Sequence, residues 1–383
     1  MKPYLFGLLF IIIFSSAQFG LILRHKSPYL SDSYFYKHLY HRFQGDTDET
    51  AREKVMNKID LSNADNITKN IFEREEVYSD VLIFFQRRPF YPFVAYLTNI
   101  IVGNEYLAFL IPVLLSYLGL ITVTTYFMKL KFGNLLSLFA ISLFISFYPF
   151  LDWSTYFLTD TIGAFFWMVQ IFFIYKFQTT TKKHWLYLFF ILLVISFSNR
   201  EQSLLMFPLL VTSLVLTKIY NPKNRLLKNF IPIVFVSLIA TVLYMLLATI
   251  LKHRNIQDAI VYTMNSYGFY SNSYSNMQII NYAWNAVVIS HVFFLRELVS
   301  HHWWFTFSLF ASIGAFMTFV SSKKPQLLDI LIISSAFASY LAIFIYPVLS
   351  YRFFYPVVIA VIYFAFIFIE KYALILNNKF NKS

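Results

Sequence analysis

Nine ionisable side chains lie close to the ends of long apolar segments in this chain, where charge is costly. They are Asp32, Asp152, Asp160, Arg87, Arg88, Arg200, Arg352, His301 and His302. A carboxylate can take a proton from a hydroxyl or hold a metal ion, and a guanidinium can bind a phosphate through two parallel hydrogen bonds. These residue types therefore suit acid–base chemistry on a phosphate-bearing substrate.

Each of these residues also has a purely structural interpretation. Asp32 in SDSYFY and Asp160 in LTDTIG could cap the helices that follow them. The arginines could extend from helix ends to the lipid headgroups. His301 and His302 precede two tryptophans, a residue typical of the membrane interface. The position of the whole set relative to the membrane therefore matters more than any single residue.

The composition is that of an integral membrane protein. The chain has 383 residues, of which 58% are hydrophobic and only 13% are charged, whereas soluble domains carry about 25% charged residues. The chain contains no cysteine, which excludes disulfides, thiolate metal sites and a cysteine nucleophile.

Apolar runs of spanning length predict about ten transmembrane helices and hence an all-α, multi-pass membrane bundle. The runs are 4–23, 105–128, 134–150, 160–177, 184–198, 203–217, 230–251, 303–320, 327–348 and 353–372. The first run resembles a signal peptide up to its SSA motif. It continues to Leu23, so we expect an uncleaved helix.

Lysines and arginines in the short connections predict the orientation, because such residues favour the cytoplasmic side. KLKFGN, KFQTTTKKH, KIYNPKNRLLKN, SSKKPQ and the tail NNKFNKS alternate with connections that carry only Arg200 and Arg352. Both termini are therefore expected in the cytoplasm, and the nine ionisable residues on the outer side. Glu105, Asp329 and Glu370 are interpreted as scattered inner acids. The net charge of +12 is then mostly a topology signal, which argues against a nucleic-acid partner.

Two long segments, 24–104 and 252–302, are expected outside the membrane. In the first, one side of a predicted helix carries Tyr36, Leu39, Tyr40 and Phe43, and the other side carries Lys37, His38, His41 and Arg42. This pattern predicts an amphipathic helix in the membrane interface. A second apolar segment, 90–103, is too short to cross and is expected on the outer leaflet.

Five short motifs, in order, resemble the GT-C superfamily of membrane glycosyltransferases, whose members include protein O-mannosyltransferases and lipid A aminoarabinose transferases. They are SDSYFY after the first span, RRPFYP, FLTD, NREQSLLMFP and YRFFYP. The fourth motif lacks the proline that follows arginine in the family pattern. The resemblance covers about the first 220 and the last 40 residues, and the 252–302 segment matches no motif that we can name.

The resemblance implies a single GT-C-like transmembrane domain over residues 1–383. Its site would face outward from the plasma membrane and move a sugar from a polyprenyl-phosphate donor to a hydroxyl of a lipid, glycan or protein. Asp32 would be the general base. Asp160, with Asp152 second, would orient the acceptor or help to bind a divalent metal ion, if one is used. The phosphate would be bound by Arg87, Arg88, Arg200 and Arg352, and His302 is a further candidate phosphate or metal ligand.

Two other functions remain open at this point. A transporter or lipid flippase would place charges at the membrane midplane, near helices broken by Gly or Pro, and often has paired halves. The chain has only nine glycines, and we find no paired halves. An O-antigen-type polymerase or ligase also uses arginines on the outer face and a large outer loop, which 252–302 could supply.

Overall fold

The computed structural model describes residues 2–380 apart from 63, 222–225, 251–257, 259–260, 262–274, 301, 323 and 346–350. Within these ranges the chain is helical and has no β-strand, which confirms the all-α prediction. The first half comprises α1 Lys2–His25, α2 Ser31–Phe43, α3 Asp48–Met56, α4 Asn66–Glu73, α5 Glu75–Gln86, α6 Phe90–Val102, α7 Glu105–Lys131, α8 Asn134–Ile145 and α9 Tyr148–Ser154.

The second half begins with α10 Asp160–Thr180 and α11 Lys183–Asn199, followed by a 3₁₀-helix, Glu201–Leu205. Next come α12 Met206–Tyr220, α13 Leu226–Ile250, α14 Asn276–Ser300 and α15 His302–Phe316, which continues as a π-helix over Met317–Ser321. The remaining helices are α16 Leu327–Tyr340, α17 Ala342–Ile345, a 3₁₀-turn Tyr351–Phe353 and α18 Tyr355–Phe380.

Seven helices among the described residues are long and apolar enough to cross a membrane, or eight if the bent α8–α9 pair is one span. They are Tyr4–His25, Glu105–Lys131, Glu201–Tyr220, Leu226–Ile250, Asn276–Arg296, Trp303–Ser321 and Tyr355–Ala373. Of the other predicted spans, α11 has only 17 residues and α16 only 14. The number of about ten therefore stays a prediction.

The bundle has two chemically different ends. The end where α10 begins, called here the Asp160 end, also holds the chain leaving α1, since Phe157 donates its backbone N–H to the Pro28 carbonyl at 2.9 Å. At the opposite end, Lys131 binds Asp329 at 2.7 Å. The lysine-containing connections after α7 and before α16 therefore share one end, as the charge pattern predicts.

Helix α2 forms where the sequence predicts it, but its polar side is not solvated. Lys37, His38 and His41 are buried, because α3, α5 and α6 pack around α2. Aromatic rings such as Phe35 and Phe85, with centroids 4.7 Å apart, fill this contact. The protein itself therefore covers these three residues of the polar side, and Arg42 alone of the four is exposed.

Glu105 lies on the first-loop side and not with the inner acids. Its carboxylate binds Lys37 Nζ at 2.5 Å and Lys58 Nζ at 2.9 Å. Glu105 opens α7 directly after the Gly103 turn, where φ is +63°. The buried ammonium of Lys37 therefore has a counter-charge, which a buried cation requires.

Buried His38 gives the first loop a predicted pH dependence. Burial lowers the pKa of His38 below its ordinary value of 6.5, although Asp48 partly opposes this shift. The unfolded chain therefore binds a proton more readily than the folded chain, so folding stability should be complete above about pH 6.5 and fall as the pH drops below it. We expect the melting temperature in detergent to drop between pH 7 and 5. The drop should be smaller in His38→Gln than in wild type. In the control His184→Gln, where the replaced histidine is exposed, the drop should equal that of wild type. An equal drop in wild type and His38→Gln would contradict this assignment.

Part of the expected 252–302 outer loop is helical. Helix α14 covers Asn276–Ser300, and its stretch 276–296 is apolar enough to cross a membrane. Its middle contacts α17, because Val287 packs with Ile343 of that helix and with Phe354. Asn, Gln and His residues are interspersed among the apolar residues of this helix, so it is not recognisable as a span in the sequence. Most of the segment before residue 275 lies outside the described residues.

The most extensive helix contact among the described residues is between α15 and α18, and the two helices approach closely at Gly314. A Cβ atom at this position would collide with the backbone carbonyl of Phe364, which cannot move aside as a flexible side chain can. We expect Gly314→Ala to lower the free energy of unfolding by ~1–3 kcal/mol, measured by denaturant titration in detergent. Gly20→Ala is the control, since nothing lies within 4 Å of a Cβ there. Equal stability of the two variants would contradict this packing argument.

Candidate active site

A buried ion pair forms the centre of the site. Asp160 is the first residue of α10, and its carboxylate is bound by the guanidinium of Arg200. Both side chains are less than a tenth exposed. A break in the helix places Arg200 beside Asp160. Helix α11 ends at Asn199, and Arg200 is extended, with φ −165° and ψ 131°. Asn199 secures this break by donating its side-chain N–H to the Thr159 carbonyl at 3.1 Å.

Arg352 joins Asp32 to this pair. Its Nη1 lies 3.2 Å from Asp32 Oδ2, across 320 residues of sequence, and its Nε lies 3.9 Å from Asp160 Oδ1. The short turn that carries Arg352 is fixed by its neighbour, since the Phe353 carbonyl accepts hydrogen bonds from Gln202 and Ser339, each at 2.9 Å. The four residues Asp32, Asp160, Arg200 and Arg352 therefore lie together at the Asp160 end.

Asp32 is not the cap of α2. The helix follows Leu30, and the Ser33 hydroxyl accepts the Leu30 backbone N–H at 3.0 Å. Asp32 instead directs its carboxylate at Arg352. Its side chain is 35% exposed, against 4% for Asp160. A substrate can therefore reach Asp32, while Asp160 is enclosed by its arginines.

A second cluster of charges adjoins the first. Glu201 binds Arg87 at 3.2 Å and Arg88 at 3.0 Å. Arg88 also lies 3.5 Å from the hydroxyl of Tyr36, which in turn lies 3.1 Å from Thr159, the residue before Asp160. Burial opposes the charged form of Arg88, but Glu201 and Tyr36 outweigh it and raise the Arg88 pKa. Arg88 is therefore charged at any physiological pH.

Glu201 was missed in the sequence analysis. It follows Arg200 directly in NREQS, and an acid beside an arginine in a short connection reads as a local charge pair. In the structure the two neighbours bind different partners, Asp160 and the Arg87–Arg88 pair. One feature of the sequence does point to Glu201, since it is a second ionisable residue in a connection that is otherwise short of charges.

Of the remaining predicted residues, Asp152 lies apart from this set. Asp152 binds Lys26 Nζ at 2.7 Å, although the next residue, Trp153, places its ring 5.3 Å from the Arg352 guanidinium. His302 begins α15, but its side chain lies outside the described part of the chain, and so does His301. Neither histidine can be placed relative to the arginines.

The charged residues border a narrow cleft between α10, the 3₁₀-helix Glu201–Leu205 and the start of α18. Its lining includes Asp160, Arg200, Arg352, Trp167, Phe353 and Tyr355. Phe353 lies between two cations, since Arg200 is 4.6 Å and Arg352 is 4.8 Å from its ring centre. Guanidinium groups held against aromatic rings keep a fixed orientation and remain charged. The cleft therefore offers oriented cations beside one accessible carboxylate.

The donor set that the structure describes does not fit a divalent cation. In the described ranges, no three His, Cys, Asp or Glu side chains form a group that could hold a metal ion. Asp32 and Asp160 face guanidinium groups, whose positive charge competes with a cation for the same oxygens.

A comparison with protein families favours one of the classes considered above. Residues 86–246 match the model of the dolichyl-phosphate-mannose-protein mannosyltransferase family. This match confirms the predicted resemblance to the GT-C type of glycosyltransferase. The matched segment contains Arg87, Arg88, Asp152, Asp160 and Arg200. Asp32 and Arg352 lie outside it and are connected to it by the ion pairs described above. No curated protein sequence matches the chain significantly.

Proposed function

We propose that this protein is a membrane glycosyltransferase that moves a sugar from a polyprenyl-phosphate donor to an acceptor hydroxyl. The observation that carries the proposal is the convergence of Asp32 with Arg352, Asp160 and Arg200. Residues from both ends of the chain thus form one charged site in a bundle whose residues 86–246 match a mannosyltransferase family. Arginines beside an accessible carboxylate suit phosphate departure coupled to proton removal.

In the proposed reaction, Asp32 takes the proton of the acceptor hydroxyl while the acceptor oxygen attacks the anomeric carbon of the sugar. The bond from that carbon to the phosphate oxygen breaks, and the polyprenyl phosphate leaves with the electron pair. Arg88, Arg200 and Arg352 stabilise the charge that develops on the phosphate. Asp160 acts as the counter-ion that orients Arg200 and Arg352, because it is too deeply buried to meet an acceptor.

The proposed position of the site is the outer face of the plasma membrane. Lysine-rich connections lie at the end opposite to Asp160, where Lys131 meets Asp329, and such connections favour the cytoplasm. The prenyl chain would lie in lipid beside α6, whose Leu97, Ile100 and Ile101 are exposed. Both termini would then be cytoplasmic.

The test uses the purified protein in lipid nanodiscs with a panel of radiolabelled polyprenyl-phosphate hexoses and pentoses. Lipid, glycan and protein fractions of membranes are supplied separately as acceptors. We expect label to enter one fraction while an equal amount of free polyprenyl phosphate appears. Label that stays on the donor with every fraction would contradict the proposal. In sealed proteoliposomes, movement of the intact donor across the bilayer would favour the flippase instead.

A further inference from the structure

We propose that Glu201 is an internal competitor for the donor phosphate. Its carboxylate would hold Arg87 and Arg88 in the empty site and give them up when a phosphate binds. The inference rests on the proposed function, because it assumes that a phosphate is bound at the Asp160 end. It assigns to Glu201 the control of how tightly that phosphate is held.

The geometry of Glu201 is that of a bound anion. One carboxylate oxygen lies 3.2 Å from Arg87 Nε, and the other lies 3.0 Å from both Nε and Nη2 of Arg88. Carboxylate and phosphate oxygens both accept charge-assisted hydrogen bonds from guanidinium groups, and here one carboxylate oxygen meets two nitrogens of Arg88. Glu201 therefore fills the place that a phosphate would take on these arginines.

The backbone keeps Glu201 in this position. Arg200 donates its N–H to the Ser196 carbonyl at 2.8 Å, and Ser203 donates to the Arg200 carbonyl at 3.2 Å. These bonds fix the turn, so Arg200 faces Asp160 while Glu201 faces the other two arginines. The glutamate side chain has three rotatable bonds, so it can swing away without moving Arg200.

The charges favour an exchange. Two arginines and one glutamate leave this cluster with a single net positive charge, and all three side chains are mostly buried. The polyprenyl phosphate released by the transfer carries more negative charge than the phosphodiester donor. A carboxylate that returns to the arginines would therefore assist release of that product. Removing its charge should strengthen phosphate binding and slow release.

The test compares wild type, Glu201→Gln and Glu201→Asp with radiolabelled farnesyl phosphate in nanodiscs of uncharged lipid. We expect Glu201→Gln to lower the dissociation constant about 3–10-fold and Glu201→Asp to keep it within about twofold of wild type, since its charge remains. Multiple-turnover transfer by Glu201→Gln should fall, while its single-turnover rate stays close to wild type. A merely structural role would weaken binding and lower both rates.

Unchanged or weaker farnesyl phosphate binding by Glu201→Gln would overturn the inference and leave the proposed function standing if transfer persists. Absence of binding to wild type and both variants would overturn both. If a variant does not fold, a structure of the wild-type protein tests the exchange instead. In a cryo-electron microscopy structure with farnesyl phosphate, Glu201 should have left both arginines, and a Glu201 still bound to both would refute the exchange.

Discussion

Replacing Asp32 with Asn should lower the rate of sugar transfer by about 10²–10⁴-fold, the usual contribution of a general base. Asn has nearly the same shape as Asp but cannot take a proton from the acceptor. The rest of the site should persist, because Arg352 also lies near Asp160, 3.9 Å away, and packs against Phe353. The loss should therefore appear in the single-turnover rate and not in protein yield or melting temperature.

The matched control for this variant is Asp60→Asn. Asp60 is an exposed acid of the same first loop and hydrogen-bonds Ser62. The Asp60→Asn variant should transfer sugar at the wild-type rate. Donor binding should be retained in Asp32→Asn, since the arginines remain. Turnover by Asp32→Asn close to that of Asp60→Asn would remove Asp32 as the base.

Replacing Asp160 with Asn should cost about 3–5 kcal/mol of folding free energy, the range found when one partner of a buried ion pair is removed. The variant leaves the buried guanidinium of Arg200 without its counter-charge and removes the second partner of Arg352. Transfer should fall as well, because the two arginines lose their orientation. Chemical unfolding in detergent measures the first effect.

A double-mutant cycle with Arg200→Gln distinguishes a paired loss from two independent losses. The double variant should be more stable than the sum of the single changes implies, because it leaves no unpaired buried charge. The Arg52–Glu75 pair is the comparison, since the Glu75 side chain is 72% exposed. Glu75→Gln should therefore cost only ~1 kcal/mol or less. Equal costs for Asp160→Asn and Glu75→Gln would contradict the central role of the buried pair.

Much of the site was predictable because topology alone brings helix ends to one level. Asp32, Asp160, Arg200 and Arg352 were found from the positions of apolar runs and from short ordered motifs. Their contacts depend on little else than the start of α10, the break after α11 and the turn before α18. The all-α fold followed from the same apolar runs.

The remainder depends on packing that no periodicity reveals. The sequence does not reveal that Lys37 and His38 are buried, because two of the helices around α2, α3 and α5, come from the polar segment 48–86, which has weak patterning. Glu105 was assigned to the inner acids because its partners, Lys37 and Lys58, become visible only when the first loop folds over α7. The sequence assigns Asp152 to the site because it predicts the same membrane level for Asp152 as for the other residues. In the structure, Lys26 lies nearer to Asp152 than any arginine of the cluster.

The most direct test of the account is a cryo-electron microscopy structure of the protein with a polyprenyl phosphate bound in nanodiscs. The account predicts the phosphate at the Asp160 end, within hydrogen-bonding distance of at least one of Arg88, Arg200 and Arg352. The carboxylate of Asp32 should border the same cavity. A phosphate bound at the Lys131–Asp329 end, or at the membrane midplane away from these arginines, would contradict it.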